Sequence, residues 1–99
     1  MFVARVSLTT SPDAHGRLVE RLTEEATVVP DKFDGCEFYA VSIDTNDDHH
    51  VLIVEEWADR ASFDAYQQSE YFATTLETLK SCLAAPPDSA YYESTRVGP

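Results

Sequence analysis

A chain of 99 residues holds one modest core, and 43% hydrophobic residues with eleven aromatics mark it as globular rather than disordered. Eighteen acidic against seven basic residues give a formal net charge of −11, which repels phosphate backbones and anionic lipid and so argues against nucleic acid and membrane as partners. No apolar run is long enough to span a bilayer and the start MFVARVSLTT lacks a signal-peptide pattern, so the expectation is one soluble cytoplasmic domain over residues 1–99.

Along the chain, FVARVSLTT is rich in β-branched and aromatic residues and reads as a first strand, with Phe2, Ala4, Val6 and Leu8 on one side. Ser11 as N-cap and Pro12 at the first helical position then open a helix, whose apolar stripe is Ala14, Leu18, Leu22, Ala26 and Val29. Pro30 is expected to end it, with Val29 pushed toward extended geometry. A turn at Asp34-Gly35 leads into a second strand, FDGCEFYAVSID. TNDDHH is a polar turn, and VLIVEEW is a third strand that makes a hairpin with the second. Asp59 caps a helix over RASFDAYQQ, and Ser69 caps another with Phe72, Leu76, Leu79 and Leu83 on one face. Pro86-Pro87 stops that helix before a last strand in SAYYESTRV. The order is β-α-β-β-α-β, an α+β, ferredoxin-like arrangement with helices on one face of an antiparallel sheet.

Val51, Leu52, Ile53 and Val54 are apolar at consecutive positions, so both faces of the third strand call for cover. The helices cover one face only. A second copy of the sheet on a two-fold axis is the economical cover for the other, which predicts a homodimer. Cys36 and Cys82 lack CxxC spacing and read as free thiols.

Three segments carry a resemblance: the strand leading into a Pro-opened helix, FDGCEFYAV, and above all EEWADRASFDAYQQSEYF. The last has Glu55-x-Trp57, a cap at Asp59, Phe63, then Ser69 with Phe72 three residues on. The chain resembles the antibiotic biosynthesis monooxygenase family of dimeric α+β barrels over almost its whole length. The resemblance implies an oxygenase that needs neither metal nor flavin. A phenol or quinol-like substrate would bind in an apolar cavity, lose a proton, and react directly with dioxygen. It also leaves room for a non-enzymatic barrel that binds a small apolar ligand, and for an isomerase of small metabolites.

Tyr66 falls where many relatives carry a His. A phenol with a pKa near 10 is a poor base, though it can donate a hydrogen bond to an oxyanion. Trp57 matches the Trp that lines or underlies the family's cavity, and reads equally as a core anchor burying about 200 Å². Glu55 and Glu56 face opposite ways, and an inward carboxylate with a raised pKa would serve as a base. Arg5 and Arg96 either pair with those carboxylates or steady an anionic ligand. The candidate set is therefore Tyr66 and Trp57 for chemistry, with Phe63, Phe72, Glu55 and Arg5 for substrate contact. FATTLETLK lacks the His that haem-degrading relatives use, and the adjacent His49 and His50 read as a solvated hairpin tip rather than as metal ligands. Of Tyr91 and Tyr92, one should face inward and the other outward.

Overall fold

The computed structural model describes residues 1–98; Pro99, the last residue of the expected domain, lies outside the described residues. The elements are β1 (Phe2–Thr9), α1 (His15–Lys32), β2 (Cys36–Asp44), β3 (Asp47–Trp57), α2 (Arg60–Gln67), α3 (Glu70–Cys82) and β4 (Asp88–Glu93). The strands form one antiparallel sheet in the order β2-β3-β1-β4, with the helices packed on one face, which is the ferredoxin-like α+β fold. Among the described residues no helix is long and apolar enough to cross a membrane.

Cross-strand register sorts the side chains by face. Phe2, Ala4, Val6 and Leu8 of β1 stand opposite Trp57, Glu55, Ile53 and Val51 of β3, and this set faces the helices. Val51 and Trp57 are fully buried there, and Leu18, Leu22 and Val29 of α1 close over them. The other face carries Val3, Arg5, Leu52, Val54 and Glu56, joined by Phe38 and Ala40 of β2 and Ala90 and Tyr92 of β4. No helix covers that face, and Phe38 and Tyr92 are 46% and 45% exposed on it.

Several local expectations are corrected. The N-cap of α1 is Ala14, without a side-chain cap, because Thr10 bridges Leu83 and the Ser11 N–H donates to the Cys82 carbonyl at 2.8 Å. Residues 10 and 11 are thus tied to the end of α3, and the helix begins one turn later. Pro30 lies inside α1, which runs on to Lys32. In the last turn its ring removes only one backbone bond, and burial of Val29 outweighs that loss. The polar turn shrinks to Thr45-Asn46, so His49 and His50 are strand residues of β3, partly buried rather than at a solvated tip. The inward face of α3 is Thr75, Leu79 and Cys82, while Leu76 is exposed. The last strand ends at Glu93, which leaves Arg96 outside it. A register shift between Cys36 and Phe38 sends these alternate residues to opposite faces: Cys36 pairs with Trp57 and packs on the core, whereas Phe38 pairs with Glu56 on the open face.

The caps of α2 and α3 stand as expected. Asp59 accepts from the Ser62 N–H at 2.8 Å and Ser69 from the Phe72 N–H at 3.1 Å. Gly35 holds α2 against the start of β2. Its φ is +88°, and a Cβ there would lie 2.6 Å from Ser62 Cβ.

Candidate functional site

Between the sheet and the helices lies a cavity of about 240 Å³. Its wall is mostly apolar, with Val6, Leu22, Ile53, Phe63, Phe72 and Leu79 contributing, while Leu76, Pro87 and Tyr91 stand at its outer end. Four buried polar side chains enter that wall, Tyr39 from β2, Glu55 from β3, Tyr66 from α2 and Thr75 from α3, and the exposed Gln67 and Ser89 line it as well. Three larger hollows are shallow and open to solvent: one on the bare sheet face beside Phe38 and Arg96, a groove along Leu76 to Pro87, and a polar one between α1 and α3 beside Arg17 and Ser81.

The aromatic residues of the first half of the wall hold each other in place. Trp57 stacks on Tyr66 with ring centres 5.3 Å apart, and Phe63 meets both Trp57 at 5.9 Å and Phe2 at 5.0 Å. Tyr66 is also edge-on to Phe72 at 5.1 Å and to Phe33 at 5.1 Å. Trp57 itself is fully buried beneath the wall, and its indole Nε1–H donates to Glu55 Oε1 at 3.0 Å. It therefore acts on the cavity through Glu55.

Glu55 is 5% exposed. Burial pushes its pKa up from the ordinary 4.5 to about 7, helped by the negative charge of Glu25, while the Trp57 hydrogen bond pulls it partly back. With Oε1 occupied by the indole, Oε2 is the oxygen left for a ligand. Tyr39, opposite Glu55 in the β2–β3 register, has its hydroxyl pushed well above the ordinary phenol range by burial, Glu55 and Glu25. It stays protonated at any working pH. Burial likewise raises Tyr66, with Tyr39 and Glu25 adding to the shift.

Behind Tyr66 is a carboxylate that the sequence reading overlooked. Glu25 of α1 is 0% exposed, yet it is fully partnered. Its Oε1 accepts from the Tyr66 hydroxyl at 2.7 Å and its Oε2 from the Thr75 hydroxyl at 2.8 Å. Arg21 Nη2 lies 3.6 Å from Glu25 Oε2 and donates to Thr75 Oγ1 at 2.7 Å, while its guanidinium covers the Tyr71 ring at 4.8 Å. The signal for Glu25 was present: it falls on the stripe of Leu18, Leu22 and Val29, where a carboxylate must find partners. Because the Tyr66 proton is committed to Glu25, Tyr66 is not the oxyanion donor that the sequence suggested.

The cavity thus brings together Glu55, Tyr66, Phe63 and Phe72, with Trp57 in support. Arg5 does not join them. It lies on the open face with its guanidinium 5.9 Å from the Tyr92 ring centre, and Glu56 is on that face too. Tyr91 faces the cavity and Tyr92 the open side. Cys36 and Cys82 are both free thiols. The Cys36 thiol is pushed up to about 11 by burial and by Glu55, which leaves it un-ionised at neutral pH. His49 and His50 have separate acidic neighbours, Asp48 at 3.7 Å and Asp44 at 3.4 Å. Among the described residues no three His, Cys, Asp or Glu side chains converge on a metal position.

The model of the antibiotic biosynthesis monooxygenase family matches residues 1–78, which include β1 to β3, α2 and most of α3. The chain belongs to that family. Glu55, Trp57 and the segment from Asp59 to Phe72 lie within the matched residues. Solved structures agree on the fold. A candidate antibiotic biosynthesis monooxygenase from Deinococcus radiodurans is 23% identical with a TM-score of 0.89, covering 100% of this chain and 97% of that one. A similar candidate from Caulobacter crescentus is 15% identical with a TM-score of 0.89, over 96% of this chain and 90% of that one. Rv0793 from Mycobacterium tuberculosis is 18% identical with a TM-score of 0.86, over 100% of both chains. Among curated proteins none matches.

Proposed function

We propose that this protein is a cofactor-independent monooxygenase acting on a small phenolic or quinol-like substrate with dioxygen, and that it works as a homodimer. One observation carries the reading. A carboxyl with a pKa of about 7, Glu55, lies in a mostly apolar chamber of about 240 Å³ walled by aromatic rings.

The chemistry asks little more of the chain. A substrate hydroxyl placed against Glu55 Oε2 loses its proton to that oxygen. For a phenol with a pKa near 10 the transfer is uphill by about three units, or about 4 kcal/mol. That is a minor part of the barrier of about 16 kcal/mol that corresponds to ten turnovers per second. Tyr39, which keeps its proton, is the donor for the developing phenolate, and the apolar wall excludes water that would quench the anion. The electron-rich ring carbon then forms a C–O bond to dioxygen. Glu55 returns its proton to the peroxide, and cleavage of the O–O bond with loss of that carbon's hydrogen leaves a carbonyl and expels water. One oxygen atom stays in the product and the other leaves as water. Trp57 keeps Glu55 in place through the Nε1–H···Oε1 bond.

Support for the dimer comes from the uncovered sheet face, where Val3, Leu52, Val54, Phe38 and Tyr92 are left without cover, with Arg5 and Glu56 set among them. Sedimentation in salt that screens the −11 charge should give twice the 11.1 kDa chain mass; a monomer at micromolar concentration removes this part of the reading. The reaction is tested by oxygen uptake with a panel of phenols, naphthols and quinols. Consumption above the uncatalysed rate supports it. Binding without uptake across the panel would leave a ligand-binding barrel instead.

A further inference from the structure

A tyrosine hydroxyl has one proton, and for Tyr66 its destination is Glu25, 2.7 Å away. Both oxygens of Glu25 act as acceptors, one for Tyr66 and one for Thr75, and Arg21 stands beside the second. Stability alone does not account for this arrangement. Glu25 is fully buried on the stripe of Leu18, Leu22 and Val29, where an apolar residue would pack without the desolvation cost of a charge. What the carboxylate does achieve is to fix a direction. With its proton turned away toward α1, Tyr66 presents only lone pairs to the cavity it lines.

We propose that Glu25 is a positioning residue that makes the cavity selective for hydroxyl-bearing ligands, by holding Tyr66 as a hydrogen-bond acceptor. The proposal rests on the phenol or quinol reading above and sharpens it. Glu55 and Tyr66 bring two acceptors to one chamber, and Tyr39 is its buried neutral donor, with Gln67 and Ser89 more exposed. A quinol satisfies this set with its two hydroxyls. The corresponding quinone has only acceptor oxygens, so one carbonyl is left against the Tyr66 lone pairs. The cavity therefore holds the reduced form and lets the oxidised form go.

The test is anaerobic calorimetry with durohydroquinone and duroquinone, which are nearly isosteric and whose ring carbons are blocked to thiol addition. Wild type should prefer the quinol by about tenfold, the consequence of one unsatisfied buried acceptor. Glu25→Leu continues the apolar stripe and frees the Tyr66 proton to turn inward. It should erase the preference chiefly by tightening the quinone. Glu25→Gln keeps a carboxamide oxygen to accept that proton and should retain the wild-type ratio. A wild-type ratio in folded Glu25→Leu, or no preference in wild type, overturns the proposal. Should Glu25→Leu not fold, Tyr66→Phe decides: the preference should fall through weaker quinol binding, and an unchanged ratio overturns the assignment. Wild type that consumes oxygen without discriminating the pair sinks this proposal alone. Wild type that neither binds nor consumes oxygen sinks the functional reading beneath it as well.

Discussion

The two faces of β3 carry nearly the same residues and do different things. Toward the helices lie Val51, Ile53 and Glu55; toward the open side lie Leu52, Val54 and Glu56. The aliphatic pairs are interchangeable in kind, and the two glutamates are neighbours in sequence. Cover makes the difference. Beneath α2 and α3, Glu55 is removed from water and its pKa rises to about 7, whereas Glu56 is only partly buried on an uncovered face. Enclosure converts a surface carboxylate into a group that can exchange protons near neutral pH.

The sharpest way to break this comparison is to neutralise each glutamate in turn. Glu55→Gln should lower oxygen uptake by about 10²-fold to 10⁴-fold, the range for loss of a general base, while Glu56→Gln should stay within about twofold of wild type. Equal losses would show that enclosure is not what matters. The aliphatic neighbours come next. Ile53→Ala, on the covered face, should cost about 2–4 kcal/mol in urea unfolding. Val54→Ala should cost about 1 kcal/mol or less in the isolated subunit and show itself instead as weaker self-association by sedimentation.

A smaller effect is expected in the pH dependence of stability. Because the folded-state pKa of Glu55 is raised from the ordinary 4.5 to about 7, the folded protein binds its proton more tightly than the unfolded chain does. The contribution is most favourable below pH 4.5, and is lost as pH rises through 7. The loss amounts to at most about 3 kcal/mol. Glu55→Gln should therefore gain stability relative to wild type between pH 5 and pH 8, measured as the difference in urea midpoints. A gap that stays constant over that interval would contradict the raised pKa.

How far the sequence carries depends on which kind of information a residue holds. Alternation in β1 and the apolar run in β3 sufficed for strands, faces and order, and Asp59 and Ser69 declared their helices through caps that need only local chemistry. Pro30 and Ser11 misled because tertiary ties, burial of Val29 and the Thr10–Leu83 bridge, outweighed local preference. The site was half legible. Glu55, Phe63, Tyr66 and Phe72 line one cavity, but the inward turn of Glu55 rather than Glu56 is a matter of register, which depends on pairing with Ala4. Glu25 was missed because the stripe was completed with Ala26, one position on, and nothing local says that Tyr66 and Thr75 will arrive from other helices to satisfy a carboxylate. Arg5 drew attention as a scarce cation, yet alternation in β1 already put it on the side away from Ala4 and Leu8.

The most direct test of the account is the titration of Glu55 itself, followed by carboxyl-carbon NMR with Glu55→Gln to assign the signal. The enclosed-base account predicts a midpoint of about 7, more than two units above the solvent-exposed glutamates. A midpoint near the ordinary 4.5 would contradict it.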